Sequence, residues 1–271
     1  MISSTSNARV RLLRGLTDRR TRLHEGLFLV EGVRLAEEVV DAGVRPALVL
    51  FDEALRQTER GRTLLADLEP LSDWLEAASP AVLASVSAVQ HAQGVVLAAP
   101  LALPTPPSRR QRTGALHDVG LILDDVADPG NAGAILRSAR SAGVQQVRVS
   151  AGSVDIFGPK VVRAAGGAHF QLRLEVDFRW PDGAAALPVD MALVLAEAHG
   201  GQPYWQFDWT QPAVIVVGGE ARGASAAARK AATDRVRIPM PGGGDSLNVA
   251  MATSILLFEA VRQRSLGSEA R

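Results

Sequence analysis

The sequence predicts an α/β protein: a small N-terminal α/β domain followed by a larger half built on a mostly parallel sheet. Two observations predict it. Along the whole chain, short apolar runs bounded by turn residues alternate with segments of helical period. Over residues 100–114, a stretch rich in proline and polar residues carries neither period and divides that alternation. The expected organisation is a first domain over 1–99, a linker over 100–115 and a second domain over 116–271. A chain of 271 residues is long enough for both.

In the first half, residues 27–30, 47–51 and 95–98 read as strands. Residues 32–42 place Val33, Leu35, Ala36, Val39 and Val40 at helical spacing. Beyond the linker, 121–123 is a buried-strand run, followed by a helix expected from Asn131. A strand is expected at 144–149, and a helix over 159–165 closed by Gly166 and Gly167. Strands at 192–195 and 213–217 follow, and a last helix over 246–264. Strands alternating with helices predict a sheet covered on both faces, whose ligands bind beyond the carboxyl ends of its strands.

Composition narrows the function. Hydrophobic residues make up 47%, so a sizeable core can form, and the formal net charge is +0. The total charge therefore does not announce a nucleic-acid partner. The absence of cysteine excludes disulfides, thiolate zinc sites and cysteine nucleophiles, and fits a cytosolic protein. No apolar stretch follows the first basic residues as a signal peptide would require, and no run approaches the length of a membrane span. The five histidines, His24, His91, His117, His169 and His199, show no metal-ligand spacing, so no metal site is expected.

Charge is nonetheless uneven. Arg9, Arg11, Arg14, Arg19, Arg20 and Arg22 crowd the N-terminus, opposed by Asp18 and Glu25. Arginine forks onto phosphates, so Arg9, Arg11, Arg19, Arg20 and Arg22 are candidate RNA contacts. A solvated helix face is the plainer alternative. No aromatic residue is interleaved with them, so the sequence offers no visible platform for stacking bases.

Three polar clusters fall at expected strand ends. The first is Asp128-Pro-Gly-Asn131 with Gly133 and Arg137, at the start of a helix. Asn131 suits an N-cap, and Arg137 lies one turn beyond Gly133 on the same side. The second is Gly218, Gly219, Glu220 and Gly223, a glycine-bearing turn directly after a buried strand. It is not a Walker loop, because no Lys-Ser/Thr pair follows, nor the dinucleotide fingerprint, because the second and third glycines are misplaced. The third runs from Ile238 and Met240 through a glycine-rich loop to Asp245, Ser246, Leu247 and Asn248, with a helix expected to open at Asp245 or Ser246. Taken singly, each reads equally as a cap or a turn.

In this order and at these distances the clusters resemble the SpoU/TrmH family of SPOUT methyltransferases. The motif Asn-x-Gly-x-x-x-Arg matches Asn131, Gly133 and Arg137. Gly-x-Glu-x-x-Gly matches Gly218, Glu220 and Gly223, and Ile-Pro-Met with Ser-Leu-Asn-Val matches 238–240 and 246–249. The stretch 164–170 is also similar, as are 6–9 and 26–32, which resemble the substrate-binding domain, similar to ribosomal protein L30e, of the ribosomal-RNA branch. Ala250 stands where the family often has serine, and Pro241 with three glycines makes the loop unusual.

The resemblance implies a deep trefoil knot, against generic topology rules, and a homodimer with the active site at or near the subunit interface. It implies S-adenosylmethionine as cofactor, contacted by Leu195, Ala196, Gly218, Gly219, Glu220, Gly223, Ile238, Met240, Ser246 and Leu247. It implies 2′-O-methylation of ribosomal RNA, with transfer RNA as the alternative substrate and a non-catalytic RNA-binding assembly factor as the alternative function. Arg137, Asn131, Glu220, Ser246 and Asn248 would form the catalytic group. A guanidinium has a pKa above about 12, so Arg137 suits stabilising alkoxide or holding phosphate better than removing a proton.

Overall fold

The computed structural model describes residues 1–87, 94–103, 116, 118–188 and 190–269, with side chains to 266. Most of the expected linker (104–115), His91 and His117 lie outside the described residues. The chain forms two compact units: Met1–Pro106 with Asp155–Phe170, and Pro107–Val154 with Gln171–Arg271.

The first unit contains α1 (Ala8–Gly15), α2 (Arg19–Glu25), β1 (Leu27–Glu31), α3 (Val33–Asp41), β2 (Leu48–Phe51), α4 (Glu59–Leu71), β3 (Leu75–Ala77), α5 (Pro80–Val86) and β4 (Val95–Pro100). Its sheet runs β1-β4-β2-β3, antiparallel except for β2 with β3. Phe28, Val30, Val49, Phe51 and Leu97 enter one core with α3 and α4. The alternate residues Leu29, Leu48, Leu50, Val96 and Ala98 enter a second core with α1 and α5. Both faces are therefore covered, which is why these strands read as unbroken apolar runs. Asn7, Asp18, Thr58 and Ser79 cap helices by accepting backbone N–H groups, satisfying donors that short helices leave open.

The second unit opens with β5 (Val119–Asp124), α6 (Pro129–Ala142) and β6 (Gln146–Ser150). The chain next contributes α7 (Pro159–Ala165) to the first unit, where Val162 and Phe170 join the core around Phe28. The second unit resumes with β7 (Arg173–Phe178), α8 (Asp182–Ala185), β8 (Ala192–Ala196), β9 (Gln202–Pro203), β10 (Ala213–Gly218), α9 (Ala226–Ala231), β11 (Asp234–Arg237) and α10 (Val249–Glu269). The seven strands run β7-β6-β5-β10-β8-β11-β9, and every pair is parallel.

Three boundaries differ from expectation for local reasons. Helix α6 starts at Pro129, not Asn131, because the Asp128 side chain is the cap and accepts the Asn131 N–H at 2.8 Å. Proline at the first helical position costs no hydrogen bond. Helix α10 starts at Val249: Asn248 Oδ1 accepts from the N–H groups of Ala250 at 2.9 Å and Met251 at 3.3 Å. Asn248 is thus the cap rather than a first-turn residue, and Ser246 lies in the preceding loop. Strand β6 starts after Val144, whose N–H still bonds Ala139 O beside the left-handed Gly143.

His169 lies in the first unit's core, 1% exposed, with its ring 5.5 Å from that of Phe157 and 6.0 Å from that of Phe28. Its Nε2 donates to Ile156 O at 2.7 Å, and its Nδ1 has no partner. Burial pushes its pKa down to about 4, against smaller upward effects from Ile156 and Asp155. The unfolded chain would bind a proton near pH 6.5 and the folded chain only near 4. Stability should therefore fall as pH drops through that window, by up to about 3 kcal/mol. Thermal melts between pH 7 and 4 test this. His169→Gln, which can still donate to Ile156 but cannot titrate, should flatten that part of the profile.

Candidate active site

Register brings two turns of the second unit together. Leu123 pairs with Val217 and Asp124 with Gly218, so β5 and β10 end side by side. Asp125 then adopts a positive φ of 59°, and its carbonyl lies where a Cβ on Gly219 would come within 2.1 Å. A Cβ on Gly218 would sit 2.1 Å from Ala224 N. Both glycines are therefore required by close backbone approach. The buried Asp124 carboxylate accepts Trp180 Nε1 at 2.9 Å and Ser225 N at 2.6 Å, tying the end of the turn to the sheet. A buried charge needs such partners.

Glu220, in this turn, reaches the start of α6. Its Oε1 accepts Asn131 Nδ2 at 2.7 Å and Asp128 N at 3.3 Å, and its Oε2 accepts Ala127 N at 3.2 Å. Asn131 Oδ1 in turn accepts Asn248 Nδ2 at 2.9 Å. A chain of side chains, Glu220–Asn131–Asn248, thus joins the glycine turn to the first turns of α6 and α10. It uses both ends of each amide, so the hydrogen-bond network fixes their orientation. Desolvation would raise the Glu220 carboxyl, but the Asn131 amide and backbone N–H groups outweigh it and hold the pKa below its ordinary value. Glu220 is accordingly a fixed anion and a weak base.

Beside this chain lies an open cavity of about 620 Å3, within the size range of small-molecule sites. Its apolar walls include Val217, Val236, Leu247 and Leu256, and its rim is made of the three turns that follow β8, β10 and β11. Of the residues expected from sequence, Ala196, Gly218, Gly219, Glu220, Gly223, Ile238, Met240, Ser246, Leu247 and Asn248 line it. Leu195 does not: it is fully buried and packs into the core of Ile122 and Val216 on the other side of β8. Asn131 stands behind the lining, linked through Glu220 and Asn248. Sequence reasoning missed Glu197, His199, Arg222, Arg229 and Asp245 as lining residues. Glu197 directly follows β8 and is held by Arg229 at 2.8 Å and Arg235 at 3.1 Å. The strand-end rule applied to β8 would have pointed to it.

Arg137 is not brought into the cavity lining. It lies exposed on α6, and its guanidinium has no hydrogen-bond or ion-pair partner among the described residues. Its neighbour Ser138 meets Ser254 of α10 at 2.8 Å. On that part of α10, Met251 and Phe258 lie two turns apart and are 64% and 48% exposed.

The N-terminal arginines divide. Arg22 is 4% exposed; Nη1 donates to Leu16 O at 2.7 Å and Nη2 pairs with Asp155. It is a structural residue of the first unit, and the expectation that it contacts RNA is corrected on that ground. Arg19 lies 3.8 Å from the same carboxylate. Arg11 and Arg20 are exposed. Arg9 lies over the ring of Trp74, 3.5 Å from its centroid, a pairing invisible in a local reading of the charge run. Among the described residues no group of three or more His, Cys, Asp or Glu could hold a metal, and no helix is long and apolar enough to cross a membrane.

A wholly parallel sheet with an apolar cavity rimmed by backbone turns beyond its strand ends defines an α/β protein that binds a nucleotide-like small molecule. Comparison with known proteins sharpens that class. Residues 118–258 match the SpoU rRNA Methylase family and residues 7–97 the MRM3-like substrate binding domain. This chain belongs to the SpoU rRNA methylase family. It is 32% identical to the 23S rRNA (uridine(2479)-2′-O)-methyltransferase of Streptomyces viridochromogenes, over 94% of this chain and 89% of the relative. It is 28% identical to the 23S rRNA (guanosine(2553)-2′-O)-methyltransferase RlmP of Bacillus subtilis, over 95% and 97%. The crystal structure of the SpoU methyltransferase AviRb from Streptomyces viridochromogenes in complex with the cofactor AdoMet superimposes with a TM-score of 0.79 at 32% identity, covering 95% of this chain and 98% of that one.

Proposed function

We propose that this protein transfers the methyl group of S-adenosylmethionine to a ribose 2′-hydroxyl of ribosomal RNA, in the large subunit. The observation that carries the proposal is the linked Glu220–Asn131–Asn248 chain beside a cofactor-sized cavity, in a chain aligned almost end to end with 23S rRNA 2′-O-methyltransferases. The cofactor fits what lines the site. Gly218, Ile238 and Leu247 offer backbone groups and an apolar wall for an adenosine, Ala196 closes the rim, and Glu197, Glu220 and Asp245 face its positive charge. When bound, S-adenosylmethionine supplies a methyl group made electrophilic by its sulfonium.

The residues of the chain do the rest. Glu220 and Asn131 hold the start of α6 against the glycine turn, Asn248 caps α10, and Ser246 lines the cavity just ahead of that cap. Arg137 stabilises negative charge developing on the ribose oxygen and holds the neighbouring phosphate. Its position outside its own cavity is reconciled by a homodimer. A second copy seated on the exposed Met251 and Phe258 face would meet Arg137 at its border, so each cavity would be completed by the partner's arginine. Arg9, Arg11, Arg19 and Arg20 of the first unit serve RNA phosphates. The knot belongs to the same reading and is supported by β10 lying between β5 and β8, both earlier in the chain.

Incubation with S-adenosylmethionine carrying a labelled methyl group, against ribosomal and transfer RNA, tests the proposal. The expected product is label in large-subunit RNA at a linkage that resists alkaline cleavage. Label in transfer RNA would move the substrate. Cofactor binding without any transfer would favour a non-catalytic RNA-binding factor.

A further inference from the structure

We propose that Trp74 and Arg9 form a stacking platform for one unpaired base of the RNA; this rests on the reading of the substrate as RNA. Trp74 stands at the entrance to β3, one of the two edge strands of the first sheet. Its main chain is anchored on both sides, by Asp73 N to Pro46 O at 3.0 Å and by Val49 N to its own carbonyl at 2.7 Å. Its indole N–H is spent on Glu76 Oε2 at 3.2 Å, which sets the plane of the ring. The residue is nevertheless 40% exposed. What remains on offer is therefore ring surface and not a hydrogen bond.

Arg9 adds the charge. Its guanidinium carbon lies 3.5 Å from the ring centroid, a stacked cation–π contact, and its backbone N–H is held by Asn7 Oδ1 at 2.9 Å. Two carboxylates stand near, and each has its own cation: Asp73 pairs with Arg45 at 2.5 Å, and Glu76 with the N-terminal ammonium at 3.3 Å. Arg9 has no carboxylate partner among the described residues. The platform therefore pairs an uncompensated cation with an exposed aromatic. Binding of single-stranded nucleic acid uses this combination, because every base has a flat π-face and every linkage an anion.

The experiment compares the wild-type protein with Trp74→Ala, Trp74→Phe and Arg9→Gln for binding to a bacterial 23S rRNA transcript at several salt concentrations, with S-adenosylmethionine binding measured alongside. Trp74→Ala should weaken RNA binding roughly 5- to 100-fold. It should leave the salt dependence unchanged, because no charge is removed. Trp74→Phe should keep most of the affinity, Arg9→Gln should weaken it, and cofactor binding should not move. RNA carrying 4-thiouridine should crosslink to the wild-type peptide that contains Trp74, a readout independent of how the alanine variant folds. RNA binding by Trp74→Ala within about twofold of wild type overturns the platform, as does absence of that crosslink. If the wild-type protein methylates RNA while Trp74→Ala binds equally well, the platform alone falls. If the wild type neither binds nor methylates RNA, the functional reading falls and takes the platform with it.

Discussion

Arg137→Ala should lower methyl transfer by about a hundred-fold or more while leaving the affinity for S-adenosylmethionine unchanged. The two halves of this expectation rest on different facts. Arg137 is absent from the lining of its own chain's cavity, and in the dimer it is assigned to the ribose oxygen and phosphate, so removing it leaves the groups that hold the cofactor in place. A guanidinium poised at developing negative charge acts only during reaction, and loss of one such donor typically costs two to three powers of ten, roughly. Calorimetry with the cofactor and single-turnover transfer separate the two. Co-expression then tells where the arginine acts. Chains carrying Arg137→Ala mixed with chains carrying Glu220→Ala should regain roughly a quarter of the wild-type activity, because half of the randomly formed dimers are mixed and each holds one complete site. An arginine serving its own chain would leave the mixture as inactive as its parents.

Gly219→Ala should do damage out of proportion to the single methyl group it adds. The added carbon would lie 2.1 Å from the carbonyl oxygen of Asp125, a backbone atom that no rotamer change can move. Either β10's turn or β5's must shift. Both carry the site: Glu220 follows directly, and Ala127 and Asp128, whose N–H groups grip it, lie just beyond Asp125. Overpacking of this kind costs about 1–3 kcal/mol. The expected readouts are a lower melting temperature and cofactor affinity reduced by about ten-fold or more, the affinity falling because the rim itself is displaced. A variant with wild-type melting and normal cofactor binding would show that the turn yields freely, and the close approach would then not be what the glycine is for.

The strands most plainly legible in the sequence are those buried on both faces. Strands β1, β2, β4, β5, β8 and β10 each present an unbroken apolar run, because helices cover both sides of their sheets. Strands β3, β7, β9 and β11 could not be read this way: Arg173–Phe178 is largely exposed, Gln202–Pro203 is two residues long, and Asp234–Arg237 is mostly polar. Helix starts slipped for a different reason. Asp128 and Asn131 are both competent caps, as are Ser246 and Asn248, and only the hydrogen bonds actually made decide between them.

For the site, glycine spacing was enough to mark the turns, since close backbone approach leaves a local signature. Partnerships between distant residues left none. Glu197 needs Arg229 and Arg235, Arg22 needs Asp155, and Arg9 needs Trp74. In each case the residue type was visible and its role was not, because role depends on a neighbour brought in by the fold.

The excursion of the chain through Asp155–Phe170 bears on how the two halves could be exchanged among relatives. Val162 and Phe170 fill the core of a unit built mainly from residues 1–106. A single cut after β4 therefore yields an incomplete N-terminal half and a C-terminal half carrying someone else's filling. A graft that gives this methyltransferase a new RNA target must bring two stretches of donor sequence, and the shorter one lies inside what looks, on paper, like the enzyme.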